Sequence, residues 1–125
     1  MTNNVPNTPT DVHIGMLAYN GVQMSAVLGI VDLFDVANRY GAQSDGRRIK
    51  HSILRLDDLP SAPSFDAIVV PPNLTGNRGA SDDILHNWIR DRYAKGTIAC
   101  SACAGAFWLG HAGLLDGRPA TTHWA

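Results

Sequence analysis

Residues 101–107 read SACAGAF. Ser101, Cys103 and Gly105 fall at the spacing small-x-nucleophile-x-Gly, the layout of a nucleophile elbow, in which a strand turns sharply into a helix and holds a reactive side chain above the sheet. Small neighbours are required because strand and helix approach closely at the bend. Free N–H groups at a helix start favour a thiolate, and a cysteine so placed can drop from a pKa of about 8.5 into roughly 3.5–7.5. The competing reading makes Cys103 a buried small hydrophobe, as free cysteines often are. Cys100-x-x-Cys103 also has redox spacing, but such motifs belong after an early strand, whereas this one follows the fourth, and Cys100 is expected to face the core. No metal site is expected: there is one cysteine pair, and His111 and His123 lie 12 apart, which does not suit a closed four-ligand site. His123 follows Cys103 by 20 residues, at the start of the next predicted strand. Neighbouring strand ends converge in a parallel sheet, so this imidazole can pair with a thiolate or relay a proton; the alternative is a structural histidine in a TTHW turn. His13, His51 and His86 occupy strand or helix positions and are assigned no chemistry.

The elements that must position these residues follow from pattern. VHIGMLAY, residues 12–19, is a buried strand closed by the Asn20-Gly21 turn. Val27, Ile30, Val31, Phe34 and Ala37 recur on one helical face, and that helix ends near Tyr40-Gly41. IKHSILRL alternates as a strand with one wet face, DDLPSAP breaks it, and FDAIVVP is a short central strand. Ser81 is the expected N-cap of the next helix, with Asp82 and Asp83 in its first turn and Ile84, Leu85, Trp88 and Ile89 on its apolar face. Lys95-Gly96 stops it. TIACSA is a strand, AGAFWLGHA a short helix, and TTHWA begins another extended segment. Strands alternating with helices predict an α/β fold with a mainly parallel sheet, whose ligands sit outside the carboxyl ends of the strands.

Composition narrows the classes. The chain has 125 residues, 45% hydrophobic, enough for one domain with a real core. Ten basic against 11 acidic residues give a net charge of -1, which excludes a strongly basic nucleic-acid arm and an acidic tail. No apolar run approaches the ~18 residues that span a bilayer, so no membrane association is expected. Residues 1–11 have neither a positive residue nor an apolar core, so they read as a frayed tail rather than a signal peptide. Two cysteines suit a reduced, cytoplasmic chain. No Gly-rich phosphate loop is present, and no cofactor is expected. Trp88 and Trp108 read as core or interface aromatics, and Arg47, Arg48, Arg90 and Arg92 as solvated faces.

The strand with NGVQM at 20–24, DVANRY at the end of the first helix, FDAIVVP, and above all SACAGAFWLGHAGLLDGRPATTHW resemble the ThiJ/PfpI family, within the class I glutamine amidotransferase-like superfamily. The stretch from Ser101 onward is similar to two subgroups: the N-terminal domain of AraC-type transcription regulators, and the isonitrile hydratase-like enzymes. The resemblance covers about residues 12–124. It implies a flavodoxin-like three-layer sandwich, commonly a homodimer, with a small-molecule pocket at Cys103. It also implies a domain that normally continues past the TTHW strand, so residues 12–125 are expected to form an incomplete domain, truncated at the C-terminus, with an uncovered sheet edge and apolar face.

Residue by residue, Cys103 falls on the family's elbow cysteine and His123 on the histidine often found near it. The enzymes set a carboxylate from the start of the first helix against the thiol; that place holds Ala26, and Asp32 lies two turns away. The hydroxyl residue that follows the cysteine in the hydratases is Ala104 here. Glycines that support an oxyanion are replaced by Pro71-Pro72-Asn73, and Pro72 has no N–H. The expectation is therefore a ligand-sensing and dimerisation domain of an AraC-type regulator, with Cys103, Ala104, Pro72, Asn73 and His123 around its ligand. It would reach DNA only through a helix-turn-helix domain not found in this chain. The alternatives are a cysteine hydratase or hydrolase with Cys103 as nucleophile and His123 as partner, and a protein that responds to oxidation at Cys103.

Overall fold

The computed structural model describes residues 11–41, 46–74 and 82–122. Four strands, β1 (Val12–Leu17), β2 (Ile49–Leu54), β3 (Ala67–Val70) and β4 (Ile98–Ser101), form one sheet in the order β2-β1-β3-β4. Every pairing is parallel, so the α/β expectation holds. β1 is flanked on both sides, with Gly15 opposite Ser52 of β2 and Ile68 of β3. That explains why it reads as an apolar run rather than an alternating one. Gly15 has a packing reason: a Cβ there would sit 3.1 Å from the Leu54 and Phe65 side chains.

Helices cover the two faces as α1 (Met24–Gly41), α2 (Asp83–Ala94) and α3 (Ala106–His111). Met16 and Leu17 are adjacent on β1 and so point to opposite faces. Leu17 joins the main core with Ile68, Val70, Leu85, Ile89, Trp108 and Leu109, on the α2/α3 side. Met16 and Val27 are also fully buried but stand outside that cluster, beneath α1. Asn38 ties the far end of α1 to the start of β2: its side chain donates to the Ile49 carbonyl at 2.9 Å and accepts from the Ile49 N–H at 2.7 Å. The flavodoxin-like three-layer arrangement follows, with Ile53 and Ile98 exposed on the edge strands β2 and β4.

Several local expectations are corrected. The α2 cap is Asp82, whose carboxylate accepts from the N–H groups of Ile84 at 2.9 Å and Leu85 at 3.2 Å; Ser81 lies outside the described residues. Asp outcompetes a neighbouring Ser because a full charge adds to the dipole interaction. Ile84 is exposed, and His86 takes its place on the buried face. Arg90 and Arg92 are not merely solvated. Arg90 donates to the Ala112 carbonyl, and Arg92 donates to those of Ala62 and Pro63 while stacking on Trp88. They clamp loops to α2. Asp11, assigned to the tail, pairs with Lys50 at 3.3 Å. Thr121 and Thr122 carry no strand, and residues 123–125 lie outside the described residues.

Candidate functional site

The bend after β4 is built by β3. The Val70 carbonyl accepts from the Ala102 N–H at 3.0 Å, fixing the end of β4 against its neighbour. Ala102 is still extended, with φ -120 and ψ 133, and Cys103 then turns to φ 50. Among the described residues it is the only non-glycine with positive φ, a conformation that costs an L-residue roughly 1–2 kcal/mol. A single 3-10 turn, Cys103–Gly105, leads into α3, and the Gly105 N–H donates back to the Ala102 carbonyl at 2.8 Å. A Cβ on Gly105 would stand 2.0 Å from the Val70 oxygen and 2.9 Å from that of Pro71. Only glycine fits, which is the close approach read from the sequence spacing.

Cys103 is exposed, so the reading of a buried hydrophobe is overturned. Cys100 lies within β4, half-buried, and desolvation pushes its thiol pKa up from the ordinary value. The two cysteines are therefore unlike, one protonated within the sheet and one presented at the surface. Beyond the elbow, the Thr122 hydroxyl donates to the Cys103 carbonyl at 2.6 Å and ties the chain after α3 to the bend.

Pro72 and Asn73 are buried, and they are held by the turn after β1. The Gln23 N–H donates to the Pro72 carbonyl at 2.9 Å, Val22 bridges Asn73, and the Leu74 N–H donates to Gly21 at 3.3 Å. Ala104 is half-buried in the elbow turn. Ala26 is half-buried in the first turn of α1, and Asp32 is exposed further along it. His123 lies outside the described residues. Cys103 and Ala104 are thus brought together with Thr122, while Pro72 and Asn73 are joined to the Gly21–Gln23 turn.

Sequence reasoning missed the aromatic group around Trp108. The Tyr19 hydroxyl donates to the Pro71 carbonyl at 2.5 Å. Burial pushes its pKa up, and the nearby Trp108 and Asn73 side chains oppose that rise. Rings then follow in succession: Tyr19 to Trp108 at 4.8 Å between centroids, Trp108 to His86 at 5.0 Å, and His86 to His111 at 5.7 Å. The available signal was spacing, since His86 falls between Leu85 and Ile89 on the inner side of α2. Two cavities flank this group. One of about 480 Å³ is lined by Tyr19, Asn20, Leu56, Asp82, Ile84 and Trp108, among others. The other, about 380 Å³ and mostly apolar, lies on the elbow helix between Ala106, Phe107, Gly110, His111, Leu115 and Thr122. It shares Thr122 with the Cys103 tether, while Cys103 itself is not among its lining residues. Among the described residues no group of three or more His, Cys, Asp or Glu is placed to hold a metal, and no helix is long and apolar enough to cross a membrane.

A parallel flavodoxin-like sheet with an exposed cysteine on a left-handed bend between its fourth strand and a helix defines a cysteine-elbow protein. Residues 31–125 match the DJ-1/PfpI family, also called ThiJ/PfpI, and the chain belongs to that family. It is 32% identical over 120 residues to a Streptomyces lividans protein described as "Uncharacterized protein in cpoL 5'region", a match covering 87% of this chain and 85% of that one. It is 40% identical over 63 residues to the isonitrile hydratase of Pseudomonas putida, across 50% of this chain but only 28% of the enzyme. Its fold matches the crystal structure of a "putative transcriptional regulator protein" from Vibrio parahaemolyticus with a TM-score of 0.70 at 16% identity, covering 90% of this chain and 67% of that one.

Proposed function

We propose that this chain is the ligand-sensing and dimerisation domain of an AraC-type transcription regulator of the reducing cytoplasm, which binds a small metabolite at the Cys103 elbow. The observation that carries the reading is the state of the thiol. It is exposed on a bend fixed by Gly105 and Val70, no carboxylate among the described residues bonds to it, and the position where related enzymes place that carboxylate is Ala26. General acid–base help contributes about 10²–10⁴-fold to catalysis; binding needs none. The fold likeness to a protein described as a regulator supports the same reading. The apolar cleft on α3 would take the hydrocarbon part of the ligand, and the Thr122–Cys103 hydrogen bond would pass occupancy into the chain beyond α3. DNA contact would require a separate helix-turn-helix domain.

The second reading, a cysteine-dependent hydratase or hydrolase, is favoured by the local similarity to isonitrile hydratase. Cys103 would attack, with His123 as proton carrier and the Ala104 N–H as oxyanion donor. One experiment separates the two: the wild-type chain and Cys103→Trp are screened by thermal shift against a metabolite library, and both are assayed for conversion of an isonitrile to its N-formamide. Sensing predicts ligand-dependent shifts that Cys103→Trp abolishes and no formamide above background. Formamide production that Cys103→Ala removes would replace the sensor reading with the enzymatic one.

A further inference from the structure

Three recesses open side by side at the carboxyl end of the sheet, the end at which open α/β sheets take up ligands. Asn20, just past β1, lines all three. The largest is the cavity of about 480 Å³ beside Tyr19 and Trp108. Two smaller ones, of about 230 and 260 Å³, adjoin it through Leu56 and Tyr19 respectively. Together they make one groove of a size that suits a small molecule, and its two ends differ in charge.

One end is basic. Arg55 follows β2 directly and lines both smaller recesses. Asp58 holds the Arg55 backbone from two sides: the Arg55 N–H donates to the Asp58 carboxylate at 2.9 Å, and the Arg55 carbonyl accepts from the Asp58 N–H at 2.9 Å. The nearest acid in sequence is thus engaged with backbone, and the exposed guanidinium makes no ion pair among the described residues. A guanidinium is a planar fork of donors that matches one carboxylate in a bidentate pair. Asp57 lines one of the same recesses. This end therefore carries one positive and one negative side chain, and a multiply charged anion such as a phosphate ester gains little there.

The other end is acidic. Asp82 and Asp83 line the large cavity. Asp82 caps α2 through a single oxygen, since Oδ1 accepts both capping N–H groups, which leaves Oδ2 for a ligand. Asp83 lies 3.8 Å from His86 Nδ1. Two carboxylates outweigh the roughly half positive charge of the helix start, so this end favours a cation. Between the ends the wall is apolar: Tyr19, Trp108, Leu56 and Ile84. Ile84 is 69% exposed, an apolar side chain that a bound hydrocarbon would cover.

We infer that this groove binds an amino acid with an apolar side chain. Its carboxylate pairs with Arg55, its ammonium with Asp82 and Asp83, and its hydrocarbon lies against Leu56 and Ile84, with the Asn20 carboxamide able to donate or accept between them. A ligand with a single charge leaves one end unmet. This goes beyond the reading at Cys103 and does not rest on it, because the groove shares none of the residues assigned to that ligand.

Dissecting the two charges tests it. Isothermal titration of the full chain compares L-leucine and L-phenylalanine with isocaproate, which is leucine without its ammonium, and isoamylamine, which is leucine without its carboxylate. The variants are Arg55→Ala, Asp82→Asn, which keeps a capping oxygen, and Cys103→Trp, with circular dichroism to confirm the fold of each. The expected result is saturable binding of an amino acid, with both single-charge analogues at least about tenfold weaker. Arg55→Ala should bring leucine down to the level of isoamylamine, and Asp82→Asn should bring it down towards isocaproate. Cys103→Trp should leave amino-acid binding as it was. Saturation by neither amino acid, isocaproate that binds as well as leucine, or a dissociation constant indifferent to Arg55→Ala overturns the inference. Loss of binding in Cys103→Trp overturns it too, by placing the amino acid at the elbow, in favour of the sensing proposal. Failure of that proposal leaves the titrations at Arg55 and Asp82 unaffected.

Discussion

The elbow and α1 lie at opposite extremes of the same molecule. Around the elbow almost every atom is constrained: Gly105 fits against the Val70 oxygen with no room for a methyl group, Tyr19 is bonded to Pro71, and Trp108 is packed between Tyr19 and His86. α1 is three times as long as α3 but contributes one fully buried residue. The bend that presents Cys103 is rigid because it is over-determined, and the long helix keeps its outer face available. Position matters more than residue type: leucines and glycines occur in both regions with different consequences.

The contrast breaks most sharply at Gly105. Gly105→Ala should destabilise the fold by at least about 3 kcal/mol, because the clash is with backbone that cannot step aside; urea unfolding would measure it, and an unchanged midpoint would mean that the elbow is looser than its geometry. In α1, Gly29→Ala meets nothing within 4 Å and should leave the monomer unharmed or slightly stabilised, by up to about 1 kcal/mol. Next in size is a pair of leucines. Leu85→Ala, fully buried beside Trp108, should cost about 2–5 kcal/mol. Leu28→Ala on α1, 52% exposed, should change stability by no more than about 0.5 kcal/mol.

Smaller still is the effect of relieving the bend. Cys103→Gly should raise stability by up to about 1 kcal/mol, since glycine adopts φ 50 without penalty, whereas Cys103→Ala should not. Chemical denaturation of both variants decides it, and a Cys103→Gly that loses stability would show that the thiol itself packs against something. The smallest effect is in pH. Tyr19 and Cys100 both hold their protons more tightly in the fold, the first in the packed region and the second within β4, because burial raises each pKa above 10.0 and 9.0 respectively. The stabilisation they give is complete below those unfolded values and is lost as pH rises through the folded ones. Urea midpoints should therefore fall above about pH 9, less steeply in Cys100→Ala. A flat profile to pH 11 or so would contradict the desolvation of both groups.

Much of this was legible in the sequence, and the exceptions share a cause. The succession of strands and helices, the elbow and the need for a small residue at 105 follow from local pattern, because backbone geometry and apolar periodicity are written over short windows. Spacing placed Ile84 inside α2 and left His86 without a role. The structure reverses this: His86 shares the inner side of α2 with Leu85 and Ile89, as its spacing allows, and the partner it meets there, Trp108, is set by tertiary contact. Arg90 and Arg92 looked like solvent-facing charges for the same reason: the carbonyls they bind are 22 to 30 residues away in sequence. The α2 cap shifted by one residue, within the ordinary fraying of helix boundaries. The exposure of the thiol could not be read at all, since the same SACAGAF string is compatible with a buried or an exposed sulfur, and only the folded bend, with Cys103 at φ 50 and Ala102 bonded to the Val70 carbonyl, presents it at the surface.

The clash that forbids any side chain at position 105 has a consequence for inheritance. What enforces the turn is a carbonyl on β3 and an absent methyl group, and neither takes part in any reaction. A descendant that mutates its acid, its proton carrier or even its sulfur keeps the same scaffold corner intact. Such a corner can outlive the chemistry it once served and be taken up for recognition alone.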